Sequence, residues 1–366
     1  MESISPEYNG ADFVKGLTIS EHGDLDQLTV RDDLFVPELQ RPTDVRLRMR
    51  AAALNHLDLF VVRGLPGVSI TPPWVLGADG TGVIDAVGDD VPDVSVGDTV
   101  VINPGISDRT CQYCRDGEQS LCVRFGILGE HLPGTIAEYV TVPAANVRPI
   151  PASIPADVAA GFSLATLTAW RMVTTRARVR AGEEVLIWGI GGGVAIAALQ
   201  ICKLLGARVW VTSRSEEKLE RARTLGADEA INHSTTDVAK LIRDRTKKRG
   251  VDVVVDDVGV ATWKQSLLAL GRRGRLVTCG ATTGPIVETD VRRLFWNQWS
   301  ILGSTMGNDA EFDAIVSQFR SGNLYPPVDR VYPLSEARSA YERIEKAEQF
   351  GKVVIEIEAR GAGSRG

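Results

Sequence analysis

No stretch near the amino terminus combines a basic start with an apolar run, and none anywhere is long and apolar enough to span a bilayer. Secretion and membrane insertion are therefore not expected, and the sequence reads as cytoplasmic with no membrane partner. A basic surplus is also missing. The formal net charge is −6 and the pI is near 5.4, whereas a nucleic-acid binder carries a basic footprint, so no nucleic-acid partner is expected. Nor is there an even cysteine set from which to build a disulfide framework. The five cysteines are Cys111, Cys114, Cys122, Cys202 and Cys279, and the clustering of three of them fits a metal site in a reducing compartment better.

What is present suggests two domains, because 366 residues are many for one core, while 44% hydrophobic and 24% charged residues are ordinary globular values. After a lead-in to about Asp12, the chain reads as short strands. Leu28-Thr-Val30 and Val45-Arg-Leu-Arg-Met-Arg50 alternate apolar with polar. Ala51 to Phe60, Val75 to Ile84, Val96 to Ile102 and Ala137 to Val142 follow, punctuated by proline and glycine, and together they predict a compact β-rich domain. Beyond Pro149 and Pro151 the period changes. Residues 158 to 178 read as helix, and strands then alternate with single helices, as in a parallel sheet covered on both faces. The tail holds further helices from Asp309 and from Ser335 and a last strand, Lys352 to Ile357, expected to return to the first domain. The ending from Arg360 has too little apolar content to pack and is expected to be mobile.

The best-specified element is Val185-Leu186-Ile187-Trp188-Gly189-Ile190-Gly191-Gly192-Gly193-Val194-Ala195, a buried strand entering a glycine turn and then an apolar helix. Such a turn offers free backbone N–H groups and the positive end of a helix dipole to a pyrophosphate. Ala195 stands where the strict pattern wants its last glycine, a packing position that tolerates alanine. The next strand ends in Ser213-Arg214-Ser215, with Lys218 one turn on, where an NAD site would place an acid. A hydroxyl, a guanidinium and an ammonium suit a 2′-phosphate, so the expected cofactor is NADP(H). Alternatively, Arg214 and Lys218 are solvated charges beside Glu216 and Glu217.

Taken together, the chain resembles the medium-chain dehydrogenase/reductase superfamily of zinc alcohol dehydrogenases and zeta-crystallin-like quinone reductases. The likeness spans nearly the whole length. It rests on Ala53-Leu-Asn-His-Leu-Asp58, Val75-Leu-Gly-Ala-Asp-Gly-Thr-Gly82, the cysteine loop, Thr168-Ala-Trp170, the glycine turn, Val251-Asp-Val-Val-Val-Asp256 and Gly351-Lys-Val-Val354. The resemblance implies an α/β fold: a GroES-like, partly open β-barrel over 1–158 and 309–366, and a Rossmann doubly wound parallel sheet over 159–308. It further implies cofactor contacts from Thr168, Gly189, Gly191, Gly192, Gly193, Val194, Ser213, Arg214 and Lys218, and assembly into homodimers or homotetramers. The apolar run Trp296 to Leu302 suits an interface that extends the sheet, and suits a buried internal strand equally well.

Two metal sites follow from the resemblance and have different fates. Asp108, Cys111, Cys114 and Cys122 match the structural zinc lobe, with Asp108 in place of its first cysteine; a carboxylate oxygen can complete the shell. A degenerate lobe with free thiols is the alternative. At the catalytic zinc, Asn55, Ala78, Asp79 and Leu164 stand at the ligand positions, and Leu57 replaces the hydroxyl that relays the alcohol proton. Only Asp79 can still ligate, so that site is expected to be empty. A remodelled site from His56, Asp79, Glu130 and His131 is the escape from this conclusion.

Zinc-free relatives reduce quinones or enones with NADPH, and the resemblance implies this for a small-molecule substrate here. Asn55 matches an asparagine beside the nicotinamide ribose in those relatives. His56 is then the candidate proton donor, with Asp58 either orienting it or accepting backbone amides. A zinc-dependent alcohol dehydrogenase and a zeta-crystallin-like structural or RNA-binding protein are the alternatives.

Overall fold

The computed structural model describes residues 13–357. Among them, two sheets carry the architecture. The strands Glu184–Ile187, Arg208–Ser213, Glu229–Asn232, Val251–Val255, Leu270–Thr278 and Ser300–Gly303 form one sheet, and every pairing within it is parallel. Taken in chain order its arrangement is 3-2-1-4-5-6, the doubly wound order. The residues explain the form. Val185, Leu186, Ile187, Val209, Trp210, Val211, Val253 and Val254 are nearly inaccessible, so these strands are apolar on both faces, and β-branched side chains suit such doubly covered positions.

The order of the strands reverses between Glu184–Ile187 and its neighbours, and ligands of such sheets bind at the carboxyl ends of the strands there. The helix Gly193–Leu204 starts at that point, and Ala195, Ile196, Ala198, Leu199 and Ile201 on it are buried. Thr212 ties the turn to the next strand, its Oγ1 accepting from the Gly189 amide at 3.2 Å and its carbonyl from Ile190 at 2.8 Å.

The second sheet has seven strands among the described residues, with Asp44–Ala53 at its centre. That strand pairs antiparallel with Asp79–Val87, Tyr139–Pro143 and Lys352–Glu356. The carboxyl-terminal strand therefore lies against a strand three hundred residues earlier. This pairing delivers Lys352 to the mouth of the first sheet's cleft. The helix Asp309–Arg320, by contrast, buries Phe312, Ile315, Val316 and Phe319 in the same core as the Gly193 helix.

Two expected elements differ. Residues 158 to 178 are not one helix: Ala156–Ala160 and Ser163–Trp170 are separate, and the second continues into a wider turn over Arg171–Arg176. The break falls at Gly161, where an added Cβ would lie 2.9 Å from the Lys352 side chain. The run from Ala51 to Phe60 is likewise part strand, part helix: the strand ends at Ala53 and a helix spans His56–Arg63.

Candidate active site

The strand Asp79–Val87, the helix His56–Arg63, the helix Ser163–Trp170 and the last strand converge on the glycine turn, leaving a cleft of about 310 Å³. Asn55, His56, Thr168, Gly192, Gly193, Val194 and Lys352 line it. Asn55 caps the first helix in extended conformation at φ −127° and ψ 165°, which turns its side chain inward. There Asn55 Oδ1 accepts from Lys352 Nζ at 2.6 Å, and Asn55 Nδ2 donates to Asp79 Oδ2 at 3.1 Å. Lys352 Nζ also donates to Asp79 Oδ2 at 3.0 Å, and the Leu164 amide donates to Asp79 Oδ1 at 2.7 Å. The ion pair is sealed, with Asp79 at 0% and Lys352 at 3% side-chain exposure.

Asp58 does not orient His56. It is buried at the third position of its helix, and its Oδ2 accepts from the Asn55 backbone amide at 2.7 Å, which is the acid half of a capping box. Burial, opposed by that hydrogen bond, pushes its carboxyl up to about 7. His56 is half-buried, tilted against Phe60 at 6.4 Å. Burial and the nearby Lys352 ammonium hold its imidazole below the ordinary range, so it is largely neutral at pH 7 and can donate a hydrogen bond more readily than a proton.

On the nucleotide side, each glycine of the turn has its own reason. Gly189 and Gly191 take φ of 68° and 137°, values that disfavour a side chain. A Cβ on Gly193 would lie 2.9 Å from Ala165 Cβ, so this glycine lets two helices meet, whereas Gly192 faces open space. Thr168 Oγ1 donates to the Leu164 carbonyl at 2.8 Å and rests on Met306. Ser213 Oγ accepts from Ser215 N at 3.1 Å, and Ser215 caps the following helix by accepting from Lys218 N at 3.3 Å. Arg214 is exposed, while Lys218 is half-buried and sends its ammonium to the Ala347 carbonyl at 2.6 Å. Of the three residues expected at a 2′-phosphate, none lines the cleft: Lys218 reaches toward Gly191, Arg214 is exposed, and Ser213 is buried. Gln349, 6% exposed with Oε1 lacking a partner, also lines the cleft.

The cysteine loop lies elsewhere. Ligand atoms of Asp108, Cys111, Cys114 and Cys122 all fall within 4.8 Å of one another. Cys111 Sγ and Cys114 Sγ are 3.6 Å apart, close to the roughly 3.8 Å that tetrahedral zinc with about 2.3 Å zinc–sulfur bonds requires. Asp108 Oδ1 also accepts the Thr110 and Cys111 amides at 2.9 Å, which aims the carboxylate into the cluster. The donor set therefore fits a closed structural zinc. Among the described residues this is the one group of acids, thiols and imidazoles close enough to hold a metal; His56, Asp79, Glu130 and His131 are not brought together into another. Glu130 and His131 instead pair with each other at 3.7 Å, with the imidazole exposed.

Residues 193–321 match the family model described as "Zinc-binding dehydrogenase", and residues 41–152 match "Alcohol dehydrogenase GroES-like domain". A zinc-type alcohol dehydrogenase-like protein of Schizosaccharomyces pombe is 31% identical over 89% of this chain and 94% of its own length. The chain belongs to the medium-chain dehydrogenase/reductase superfamily. An acryloyl-coenzyme A reductase of Metallosphaera sedula is 32% identical to this dehydrogenase/reductase over 87% of the chain and 95% of that protein. A solved NAD-dependent alcohol dehydrogenase superposes with a TM-score of 0.90 at 43% identity, over 94% of this chain and 100% of that one.

The dehydrogenase/reductase is accordingly an oxidoreductase with the GroES-like and Rossmann-like pair of folds. Two of its cleft residues had no role in the sequence. Lys352 was visible only as part of Gly351-Lys-Val-Val354, and nothing local announces that its partners are Asn55 and Asp79. Asp257 lines the cleft at the end of the strand Val251–Val255, and burial pushes its carboxyl up to about 6. Its signal was present: a second acid directly after the apolar strand, at the carboxyl end where ligands bind.

Proposed function

We propose that this dehydrogenase/reductase uses NADPH to reduce quinones, enones or activated carbonyls, transferring hydride without a catalytic zinc. The observation that carries the reading is the occupation of Asp79. At the positions where zinc-dependent relatives hold their metal, Ala78 and Leu164 offer no donor atom, and the oxygens of Asp79 are engaged by Asn55, Lys352 and the Leu164 amide. That set does not fit a catalytic zinc, which needs three protein ligands and an open position. The Metallosphaera relative supports the electrophile class, since an acryloyl group is an α,β-unsaturated acyl group.

In this reading the glycine turn and the start of the Gly193 helix bind the pyrophosphate, and Thr168 and Val194 wall the nicotinamide. Arg214 faces the 2′-phosphate. Asn55, fixed by Lys352 and Asp79, offers its amide edge to the cofactor ribose or the substrate. His56 gives a hydrogen bond to the substrate at the cleft mouth. Asp108, Cys111, Cys114 and Cys122 hold a structural zinc, which braces the loop and takes no part in the chemistry.

Oxidation of NADPH and NADH against a panel of quinones, enones and aldehydes, with and without a zinc chelator, tests the proposal. The expected result is NADPH-dependent reduction of at least one conjugated acceptor that persists while the chelator is present. The names of several relatives favour a second reading, zinc-dependent alcohol oxidation. A second zinc per chain, remaining after Cys111 and Cys114 are both replaced, together with alcohol turnover abolished by chelation, would establish that reading instead.

A further inference from the structure

Two acids follow one another at the carboxyl end of the strand Val251–Val255, and they are used differently. Asp256 is committed to the fold. Its Oδ1 accepts from the Val258 and Gly259 amides at 3.0 and 3.2 Å, and its Oδ2 accepts from Thr262 Oγ1 at 2.8 Å and Ser266 Oγ at 2.6 Å. Asp257 lines the cleft instead. Among the described residues no other residue donates to its carboxyl, and the one charged group that bears on it, Asp256, has the same sign. A carboxyl so placed is costly unless a bound molecule supplies what the protein does not. Its position in the sheet says which part of a bound molecule it meets. Val251–Val255 adjoins Glu184–Ile187 on the side away from Arg208–Ser213. With the adenosine half at the end of Arg208–Ser213 and the pyrophosphate at the glycine turn, the nicotinamide half crosses to the side of Asp257. Gly280, at the end of the next strand, leaves the carboxyl uncovered: even a Cβ there would come no nearer than 3.8 Å to Asp257 Cβ.

We propose that Asp257 poises the bound cofactor: its carboxylate faces the nicotinamide ring and favours the oxidised, cationic form over the reduced, neutral one. The inference rests on the nicotinamide-dependent reading above and not on the choice of acceptor. Hydride carries an electron pair from nicotinamide C4 to the electrophilic carbon of the acceptor, which then takes a proton from water. The ring passes from neutral dihydropyridine to pyridinium cation. A fixed negative charge beside it, in a cleft shielded from water, stabilises that cation as it forms. Burial and the neighbouring Asp256 push the Asp257 carboxyl up to about 6, so the charge is present above that pH and lost below it. Cys279, whose thiol is pushed well above its usual range by burial and by Asp257, stays neutral beside it, and His56 and Lys352 face the cleft from the opposite wall.

Dissociation constants of NADP⁺ and NADPH, measured by tryptophan fluorescence with no acceptor present from about pH 5 to about pH 8, test this. The wild-type preference for the oxidised form should rise about tenfold across that range, which lowers the midpoint potential of the bound two-electron couple by about 30 mV. Asp257→Asn, of the same shape but unable to ionise, should match wild type at the acid end and lack the rise. The 2′-phosphate is common to both cofactor forms and cancels in the ratio. His56, Lys352 and Cys279 are common to both proteins and cancel in the comparison. A wild-type ratio that does not change with pH overturns the proposal, as does a variant that shifts the affinities of both forms equally at the alkaline end. The same titrations with NAD⁺ and NADH separate this inference from the reading it rests on. A protein that prefers the unphosphorylated pair and still shows the Asp257-dependent rise refutes NADPH use and keeps the poise, whereas binding of neither pair refutes both.

Discussion

Asp58 shows how one residue's chemistry follows from its place rather than its type. An ordinary carboxyl loses its proton near pH 3.9, but this one is buried at a helix start and holds it to about 7. The folded state therefore binds a proton that the unfolded chain releases, so wild-type stability falls as pH rises between these two values. Asp58→Asn keeps an acceptor for the Asn55 amide and cannot ionise. Relative to wild type it should gain up to about 1.4 kcal/mol per pH unit across that window and stay level above it. Denaturant unfolding at several pH values checks this, and parallel pH dependences would sink it. Arg214 raises a different question, one of specificity. It is exposed, with no side-chain hydrogen bond or ion pair among the described residues, so Arg214→Ala should leave stability and NADH turnover unchanged. If the 2′-phosphate reading holds, loss of its guanidinium should raise KM for NADPH about tenfold or more, as expected for one charge-assisted contact. Equal effects on both cofactors would assign the residue to solvent.

At the scale of elements, the cysteine lobe is a segment with little core of its own. Leu121 and Val123 in it are exposed, at 50% and 71%, so little apolar burial holds the loop. It is tied to the rest by Arg171, buried between Glu118 on the lobe and Glu311 on the helix Asp309–Arg320, and by Arg109 with Asp309 at 2.7 Å. Replacing Cys111 and Cys114 with serine should abolish zinc binding by metal analysis and open the 108–125 segment to proteolysis before any other. Zinc content unchanged by the double replacement would refute the site. The lobe and the glycine turn were legible in the sequence because each is local: the lobe's ligands lie between Asp108 and Cys122 and the turn's glycines between Gly189 and Gly193. The His56–Arg63 helix was not, since it is only eight residues long and follows directly on a strand of similar apolar composition. The Lys352–Asp79 pair was beyond reach for another reason, a separation of 273 residues bridged only by the pairing of the last strand. Breaking it by removing one partner should cost about 3–5 kcal/mol, because the other charge is left buried.

For the whole molecule, the remaining question is what meets the free edge of the parallel sheet. The strand Ser300–Gly303 ends that sheet, and its outer backbone groups have no partner strand among the described residues. The helix Val291–Asn297 beside it buries none of its residues, and Val291, Phe295 and Trp296 are 64%, 64% and 71% exposed. Ile301 on the strand and Ile286 before the helix add to the same apolar exposure. Trp296 to Leu302 is thus no buried internal strand, and an unpaired edge flanked by large apolar side chains invites association. A second copy can pair this edge with itself about a two-fold axis, which continues the sheet and covers both aromatics. We expect light scattering after gel filtration to give at least a dimer. Trp296→Glu with Ile301→Lys should shift the protein to monomer, because it places charges in a patch that must be desolvated. Since neither Trp296 nor Ile301 lines the cleft, NADPH affinity should survive the change. A wild-type protein that is monomeric at micromolar concentration would leave this edge to some other partner.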